Sequence, residues 1–143
     1  MRANRRILSA FGFGFFLASP LAFAAGAQRA FVASNGNDAG PCSITAPCRG
    51  FTEAVSKTNA GGEVVVLDSA GYGAVTINKS ISIIAPPGVY AGVSVLSGNG
   101  ITVNAPGATV ALRGLSINGQ GGSTALSCSR RTGCASRIAS SRT

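Results

Sequence analysis

Beyond Gly62, apolar and polar residues alternate at a period of two in short runs that turn residues interrupt. The runs read VVVL, VTI, SISII, VSVL, ITV, TVAL and LSI, and each is closed by Gly, Asn, Pro or Ser. Alternation of this kind is typical of half-buried β-strands. The pattern therefore predicts an all-β region over residues 63–122.

Two of these segments recur along the chain. VTIN at 75–78 matches ITVN at 101–104 with an offset of 26, and VVVLDSAG at 64–71 matches VSVLSGNG at 93–100 with an offset of 29. A repeat of three short strands per roughly 25–30 residues is typical of a parallel β-helix, in which each coil buries its apolar side by stacking on the next. A sandwich of antiparallel strands gives similar runs, but the repeat favours a parallel β-helix of about two coils.

The alternation also assigns the strand residues to two sides. We expect an interior column of Val75, Ile77, Ile81, Ile83, Val93, Val95, Ile101, Val103, Val110, Leu112, Leu115 and Ile117. The residues expected outside are Thr76, Ser82, Ser94, Thr102 and Ser116.

Asn78 and Asn104 directly follow the two matching strands. Asparagine tolerates the left-handed backbone conformation of a sharp corner, and equivalent amides one coil apart can hydrogen-bond as a ladder. We interpret the pair as a structural ladder. The alternative is a polar strip that binds sugars.

Residues 28–62 form a different region, predicted to hold a strand, a turn-rich loop and a helix. FTEAVSKTNAGG places four residues on one helical face and ends at paired glycines, so it predicts a short amphipathic helix that caps the coils. That face consists of Phe51, Ala54, Val55 and Thr58. Cys42 and Cys48 bracket SITAP in the loop, where a small disulfide-closed loop is the simplest interpretation.

The first residues predict an export signal. Arg2, Arg5 and Arg6 precede the apolar run ILSAFGFGFFLASPLAFA, after which small residues offer cleavage sites. This order is typical of a bacterial secretory signal peptide, here residues 1–24, with residue 27 as the alternative cleavage point. Glycines and a proline interrupt the run, which disfavours a retained membrane anchor. We expect a secreted or periplasmic protein.

The charge of the whole chain, +8, is concentrated at its two ends. Between Gln28 and Ser127 there are five basic and four acidic residues, a net charge of +1 (five minus four). So small an excess of positive charge does not form the basic surface that nucleic acid binding requires, and we expect no nucleic acid as a partner. The chain has no histidine, so we expect neither a histidine-based nucleophile nor a metal site, and no cofactor.

The acidic residues are too scattered to predict catalysis. Glu63 and Asp68 border one extended run and lie roughly 16 Å apart at about 3.3 Å per residue, beyond the separation of paired catalytic carboxylates. The offset of 29 would stack them on Gly92 and Ser97, which carry no acid. The two tyrosines, Tyr72 and Tyr90, are candidates for stacking on sugar rings from exposed loops, although such residues more often cover a coil edge.

One stretch resembles a known superfamily. FVASNGNDAGPCSITAPCRGFTEAV followed by GGEVVVLDSAGYGAVTI is similar to the start of secreted right-handed parallel β-helix proteins of the pectate-lyase-like superfamily, the pectin lyase fold. Those proteins open with a strand, an S-x-G-x-D type loop, a Pro-flanked turn and a capping helix. The resemblance covers Arg29 to Gly122. It implies the fold and leaves the activity open, because the superfamily includes lyases, hydrolases and adhesins.

After Gly122 the composition changes to STALSCSRRTGCASRIASSRT, rich in Ser and Arg. We predict that residues 123–143 are an irregular tail, translated out of frame in a truncated protein, with a basic disordered tail as the alternative. Cys128 and Cys134 form a second pair, remain free or exchange with the first pair, since four cysteines allow three pairings.

The expected protein is therefore exported and non-catalytic, with polysaccharide as its possible partner. The alternative is a polysaccharide-degrading enzyme of the pectate-lyase type whose active coils lie beyond this chain.

Overall fold

The computed structural model describes residues 26–121 and 124–128. In these residues one helix, α1 (Phe51–Lys57), is accompanied by ten strands. The strands are β1 (Ala27–Val32), β2 (Thr58–Val66), β3 (Ala70–Gly71), β4 (Val75–Ile77), β5 (Ile81–Ile84), β6 (Ala91–Ser94), β7 (Asn99–Val103), β8 (Val110–Arg113), β9 (Leu115–Asn118) and β10 (Thr124–Cys128). The predicted signal peptide lies outside the described residues.

The strands form three sheets; from β2 onward each sheet collects every third strand along the chain, and β1 pairs with β2. Sheet I has the order β1-β2-β5-β8, sheet II β3-β6-β9 and sheet III β4-β7-β10. Every described strand pair is parallel, which excludes the antiparallel sandwich for the described part of the chain. We call three consecutive strands, one in each sheet, a coil. The described strands after α1 make three coils rather than the predicted two.

The register confirms one predicted repeat and corrects the other. In sheet III, Val75 pairs with Ile101 and Ile77 with Val103, which is the offset of 26. The match of 64–71 with 93–100 is wrong, because Val64 pairs with Ile83 in sheet I. The apolar runs of β2 and β6 are alike because both face the same interior. The connections between strands differ in length, so the offset between coils is not constant.

The interior column is aliphatic, as the alternation predicts. Ten of the twelve residues expected inside are buried, and Val95 and Ile117 are half-buried. Val95 lies just past the end of β6, and β9, which contains Ile117, is the last strand of sheet II. Both therefore sit where fewer neighbouring atoms cover a side chain.

The helix covers the first coil but is shorter than predicted. Its buried side is formed by Phe51, Ala54 and Val55, as its pattern predicts. It ends at Lys57, because Thr58 is extended and its hydroxyl donates to the Ala54 carbonyl at 2.6 Å. The paired glycines lie inside β2, at a register shift between β1 and β2, rather than at the end of the helix.

The predicted boundary of the tail is also corrected. Thr124–Cys128 forms β10, whose backbone pairs in parallel with β7 from Asn99 to Val103. The regular sheet register therefore continues to Cys128, and residues 124–128 are not irregular. The change of reading frame stays a prediction, and residues 129–143 lie outside the described residues.

Candidate functional site

The four carboxylates of the chain all lie in its first half, and each is engaged by a different partner. Glu63 accepts a hydrogen bond from the Arg29 guanidinium at 2.6 Å. Asp38 accepts from the backbone amides of Arg49 and Gly50, at 2.7 and 3.0 Å, just before α1. Glu53 lies 3.8 Å from the Lys57 ammonium on the same helix. These contacts stabilise loops, helix and sheet.

Asp68, the fourth, is the most elaborately bonded. Its two oxygens accept from the Ser34 amide at 2.7 Å and from the Ser34 hydroxyl at 2.6 Å. The Tyr72 hydroxyl donates to the same carboxylate and to the Asp68 carbonyl. The predicted stacking of Asp68 under Ser97 is wrong, because the neighbouring Ala70 pairs with Ala91, and Glu63 pairs with Ser82 rather than Gly92.

These bonds shift two pKa values in opposite directions. The hydrogen bonds from Ser34 and Tyr72 hold the pKa of Asp68 below its ordinary value, although partial burial opposes them. Burial raises the pKa of the Tyr72 hydroxyl, and the bond to Asp68 raises it further. Asp68 is thus held as a carboxylate and Tyr72 as a neutral hydroxyl, which joins the loop after β1 to the end of β2.

Asp68→Asn is expected to lower the free energy of unfolding at neutral pH by about 2 kcal/mol, because charged hydrogen bonds are lost. A lowered folded pKa contributes stability above the unfolded value of about 4, and this is lost as pH falls through the folded value. The difference between wild type and variant should therefore shrink below about pH 4 in urea titrations.

Two serine substitutions test the same network. Ser34→Ala should reduce stability with the same pH dependence, because it removes one donor to the carboxylate. Ser94→Ala, an exposed serine of sheet II, serves as the control and should change little. A stability difference for Asp68→Asn that stays constant from pH 7 to pH 3 would contradict the assigned role.

Tyr72 is not available to a sugar, so its prediction as a carbohydrate contact is corrected. The residue is 2% exposed and its ring packs on Phe51 with centroids 5.2 Å apart. The Arg49 guanidinium lies over the same ring, 5.8 Å from its centroid, and donates to the Gly71 carbonyl at 2.8 Å. Tyr72 therefore seals the end of the column beneath α1.

Tyr90, in contrast, is 53% exposed. Its backbone is anchored to the first coil, since its amide donates to Ser69 Oγ and its carbonyl accepts from the Ala70 amide, both at 2.9 Å. Its ring lies against the outer side of Gly92, where an added Cβ would come within 2.8 Å of the ring carbon Cε1. Gly92 therefore makes room for the ring on sheet II.

The outer side of sheet II carries small, uncharged residues around this ring. Gly71, Gly92 and Ser116 stand in register on three successive strands, and Ser94 pairs with Asn118 beside them. We call these five residues and Tyr90 the Tyr90 face. No member of the Tyr90 face is charged. Sequence alternation alone could not find this face, because two of its residues are glycines without a polarity signal.

The two asparagines of the predicted ladder occupy matching positions on successive coils, but their side chains are not bonded to each other. Asn78 and Asn104 are both exposed, and the Asn104 amide donates to the Ile77 carbonyl at 2.8 Å. Among the described residues no hydrogen bond joins the two side chains, and neither residue has a positive φ. Water competes for amides at such exposed positions, so the backbone register keeps the two positions matched without a ladder.

The cysteine prediction is confirmed for the first pair. Cys42 and Cys48 form a disulfide, and both residues are fully buried. The side chain of Cys128 and the whole of Cys134 lie outside the described residues. Within the described part of the chain, no three Cys, Asp or Glu residues gather as a metal site would require.

Comparison of the chain with family models, with curated proteins and with solved structures gave no match.

Proposed function

We propose that the protein is an exported right-handed parallel β-helix that binds polysaccharide through the Tyr90 face without catalysing a reaction. The every-third-strand topology of the three parallel sheets supports the β-helix. Crossovers between parallel strands are right-handed in nearly all proteins, which supports the hand. The resemblance to the pectate-lyase-like superfamily agrees with both.

Export is supported by the disulfide, and the start of the fold is compatible with signal cleavage after residue 24. The disulfide between Cys42 and Cys48 is typical of an oxidising compartment. The Asn59 side chain donates to the Gly26 carbonyl, and β1 begins at Ala27, so signal cleavage after residue 24 leaves these contacts intact. No helix in the described residues is long and apolar enough to cross a membrane.

The exposed ring of Tyr90 is the observation that carries the binding proposal. An aromatic ring held against a sheet offers an apolar surface on which the CH groups of a sugar can stack, while its hydroxyl can form hydrogen bonds. The serines and the asparagine of the Tyr90 face supply hydrogen-bonding groups beside it. Its small residues leave room for an extended chain across sheet II.

The charges around the Tyr90 face favour an uncharged polysaccharide. The face has no Asp, Glu, Lys or Arg residue, and the nearby Arg49 guanidinium already donates to Gly71 and lies over Tyr72. An anionic polymer would gain little there and would lose part of its hydration. We therefore expect neutral glycans to bind more tightly than uronate polymers.

Tyr90→Ala should weaken the binding of a neutral polysaccharide about tenfold, since about 1.4 kcal/mol of stacking is lost. Tyr90→Phe keeps the ring and should bind nearly as wild type. Gly92→Ala should weaken binding because its methyl group displaces the ring. Affinity electrophoresis or calorimetry with neutral glucans, xylans and polygalacturonate measures these effects.

Leu96→Ala is the matched control, because Leu96 is 78% exposed and lies outside the Tyr90 face. It should leave binding unchanged. If no polysaccharide binds, or if Tyr90→Ala binds as wild type, the proposed site is wrong. The catalytic alternative is tested by incubation with uronate polymers, with and without calcium, and formation of unsaturated sugars would overturn the non-catalytic assignment.

A further inference from the structure

The outer edge of β1 is the last backbone edge of sheet I on the side of the α1 cap. On the inner side, the Leu67 amide donates to the Val32 carbonyl at 2.9 Å. Successive residues of a strand direct their backbone groups to opposite sides, so the amide and carbonyl of Phe31 point away from β2. An edge of this kind accepts any extended chain unless something covers it.

The disulfide loop covers this edge because its two cysteines hydrogen-bond to the amide and to the carbonyl of Phe31. The Phe31 amide donates to the Cys42 carbonyl at 2.8 Å, and the Cys48 amide donates to the Phe31 carbonyl at 2.9 Å. The Ala33 amide donates to the Cys48 carbonyl at 3.0 Å, so this part of the loop lies where a neighbouring strand would. The disulfide thus joins the two residues that satisfy Phe31.

The covering loop is held in a conformation that the free chain disfavours. Cys42 has a φ of 56°, in the left-handed region that residues with a Cβ rarely adopt. Without the disulfide, Cys42 is free to relax to an ordinary φ and carry its carbonyl away from Phe31, which frees the Phe31 amide; an incoming strand then has to displace the bonds that Cys48 makes to Phe31 and Ala33. The rest of the loop keeps a separate attachment, since Lys57 Nζ donates to the carbonyls of Asp38 and Gly40 at 2.5 and 2.6 Å.

We infer that the outer edge of β1 is an interaction surface for β1 of a second copy of this chain, and that the Cys42–Cys48 loop keeps it closed. A pair of edges related by a two-fold axis is self-complementary, so identical copies suit it. An antiparallel pair centred on Phe31 exchanges two hydrogen bonds between the Phe31 residues of both copies.

The side chains of β1 favour this register. Arg29 and Phe31 face outward, while Ala30 and Val32 are buried inside. Pairing centred on Phe31 sets the two phenylalanines side by side, and aromatic cross-strand pairs are stabilising. Arg29 then lies opposite Ala33 of the second copy, so the two arginines stay at opposite ends and do not repel each other.

Association through this edge should stop at a dimer. The carbonyls of Gly71, Tyr72 and Ala74 at the outer side of the first coil already accept bonds from Arg49, Phe51 and Thr52. These bonds close the corresponding end of sheets II and III. On this side of the coils only sheet I is left to extend, and a two-fold pair occupies the β1 edge of both copies.

The test compares the wild-type protein with Cys42→Ala/Cys48→Ala in sedimentation velocity over a range of concentrations. We expect the wild type to remain a monomer and the double variant to approach twice that mass as concentration rises. Lys57→Met is the matched control: it loosens the loop but keeps the bonds to Phe31, so it should remain monomeric. Adding Phe31→Pro to the double variant removes the outward donor and should restore the monomer.

Hydrogen exchange gives a second readout that needs no dimer. At concentrations where all variants are monomeric, the Phe31 amide of the double variant should exchange about tenfold faster than in the wild type, while buried core amides stay protected. Unchanged Phe31 protection overturns the role of the loop. A double variant that retains core protection but stays monomeric at every concentration, or a dimer that survives Phe31→Pro, overturns the assignment of the surface.

Discussion

Ile83→Ala is expected to lower the free energy of unfolding by about 4 kcal/mol, near the top of the range for buried isoleucines. Ile83 is fully buried and lies in sheet I between Val64 of the preceding coil and Leu112 of the following one. Neither neighbour can move to fill the cavity, because each is fixed by its own strand pairing. Urea unfolding followed by circular dichroism measures the loss.

The next residue provides a matched control. Ile84 belongs to the same strand and is the same residue type, but it points to the outer side and is only half-buried. Ile84→Ala should cost less than about 1.5 kcal/mol, since less apolar area is lost and no closed cavity forms. Equal losses for the two variants would contradict the inward and outward assignment on which the coil register depends.

Gly114→Ala is expected to cost about 3 kcal/mol, the second large effect. Gly114 alone connects β8 and β9 and has a φ of 70°, which is unfavourable for alanine. An added Cβ would also lie 2.5 Å from the Ala85 carbonyl oxygen of the coil before it. Ala85 is buried and its own amide donates to the Arg113 carbonyl at 2.9 Å, so that oxygen belongs to a fixed main chain and cannot move aside cheaply.

Gly107 separates these two contributions. Its φ is 75°, close to that of Gly114, but an added Cβ would meet no atom within 4 Å. Gly107→Ala should therefore cost only the backbone term of about 1 kcal/mol. The difference between the two variants in thermal or urea unfolding measures the contact between coils, and a difference near zero would refute it.

The strands and their inner faces were predictable because alternation is a local property. A period of two identifies β4 and β7 as short strands and places Ile77 and Val103 inside, and the structure agrees. The offset of 29 between 64–71 and 93–100 predicted the wrong strand pairing, for a physical reason. Similar apolar runs serve different sheets that face one column, so likeness of sequence does not identify the partner strand.

The candidate site was less predictable than the strands. Tyr72 and Tyr90 look alike in the sequence, each beside a glycine or a small residue, yet one is sealed beneath α1 and the other stands on sheet II. Phe51, which packs on Tyr72, belongs to another element of the fold, whereas Gly92 is only two residues from Tyr90 but carries no polarity signal that would reveal its contact with the ring. Likewise, Asp68 meets Ser34 only because β1 and β2 are paired.

By itself the sequence determined a strand-rich chain with an aliphatic interior, a short cap helix and one disulfide loop, since periodicity, helical spacing and cysteine proximity act over a few residues. The tertiary structure alone decided the register of each coil, the burial of Tyr72, the exposure of Tyr90 and the closing of the β1 edge by Cys42 and Cys48. Those features depend on connection lengths and on contacts between residues distant in the chain, which local patterns do not encode.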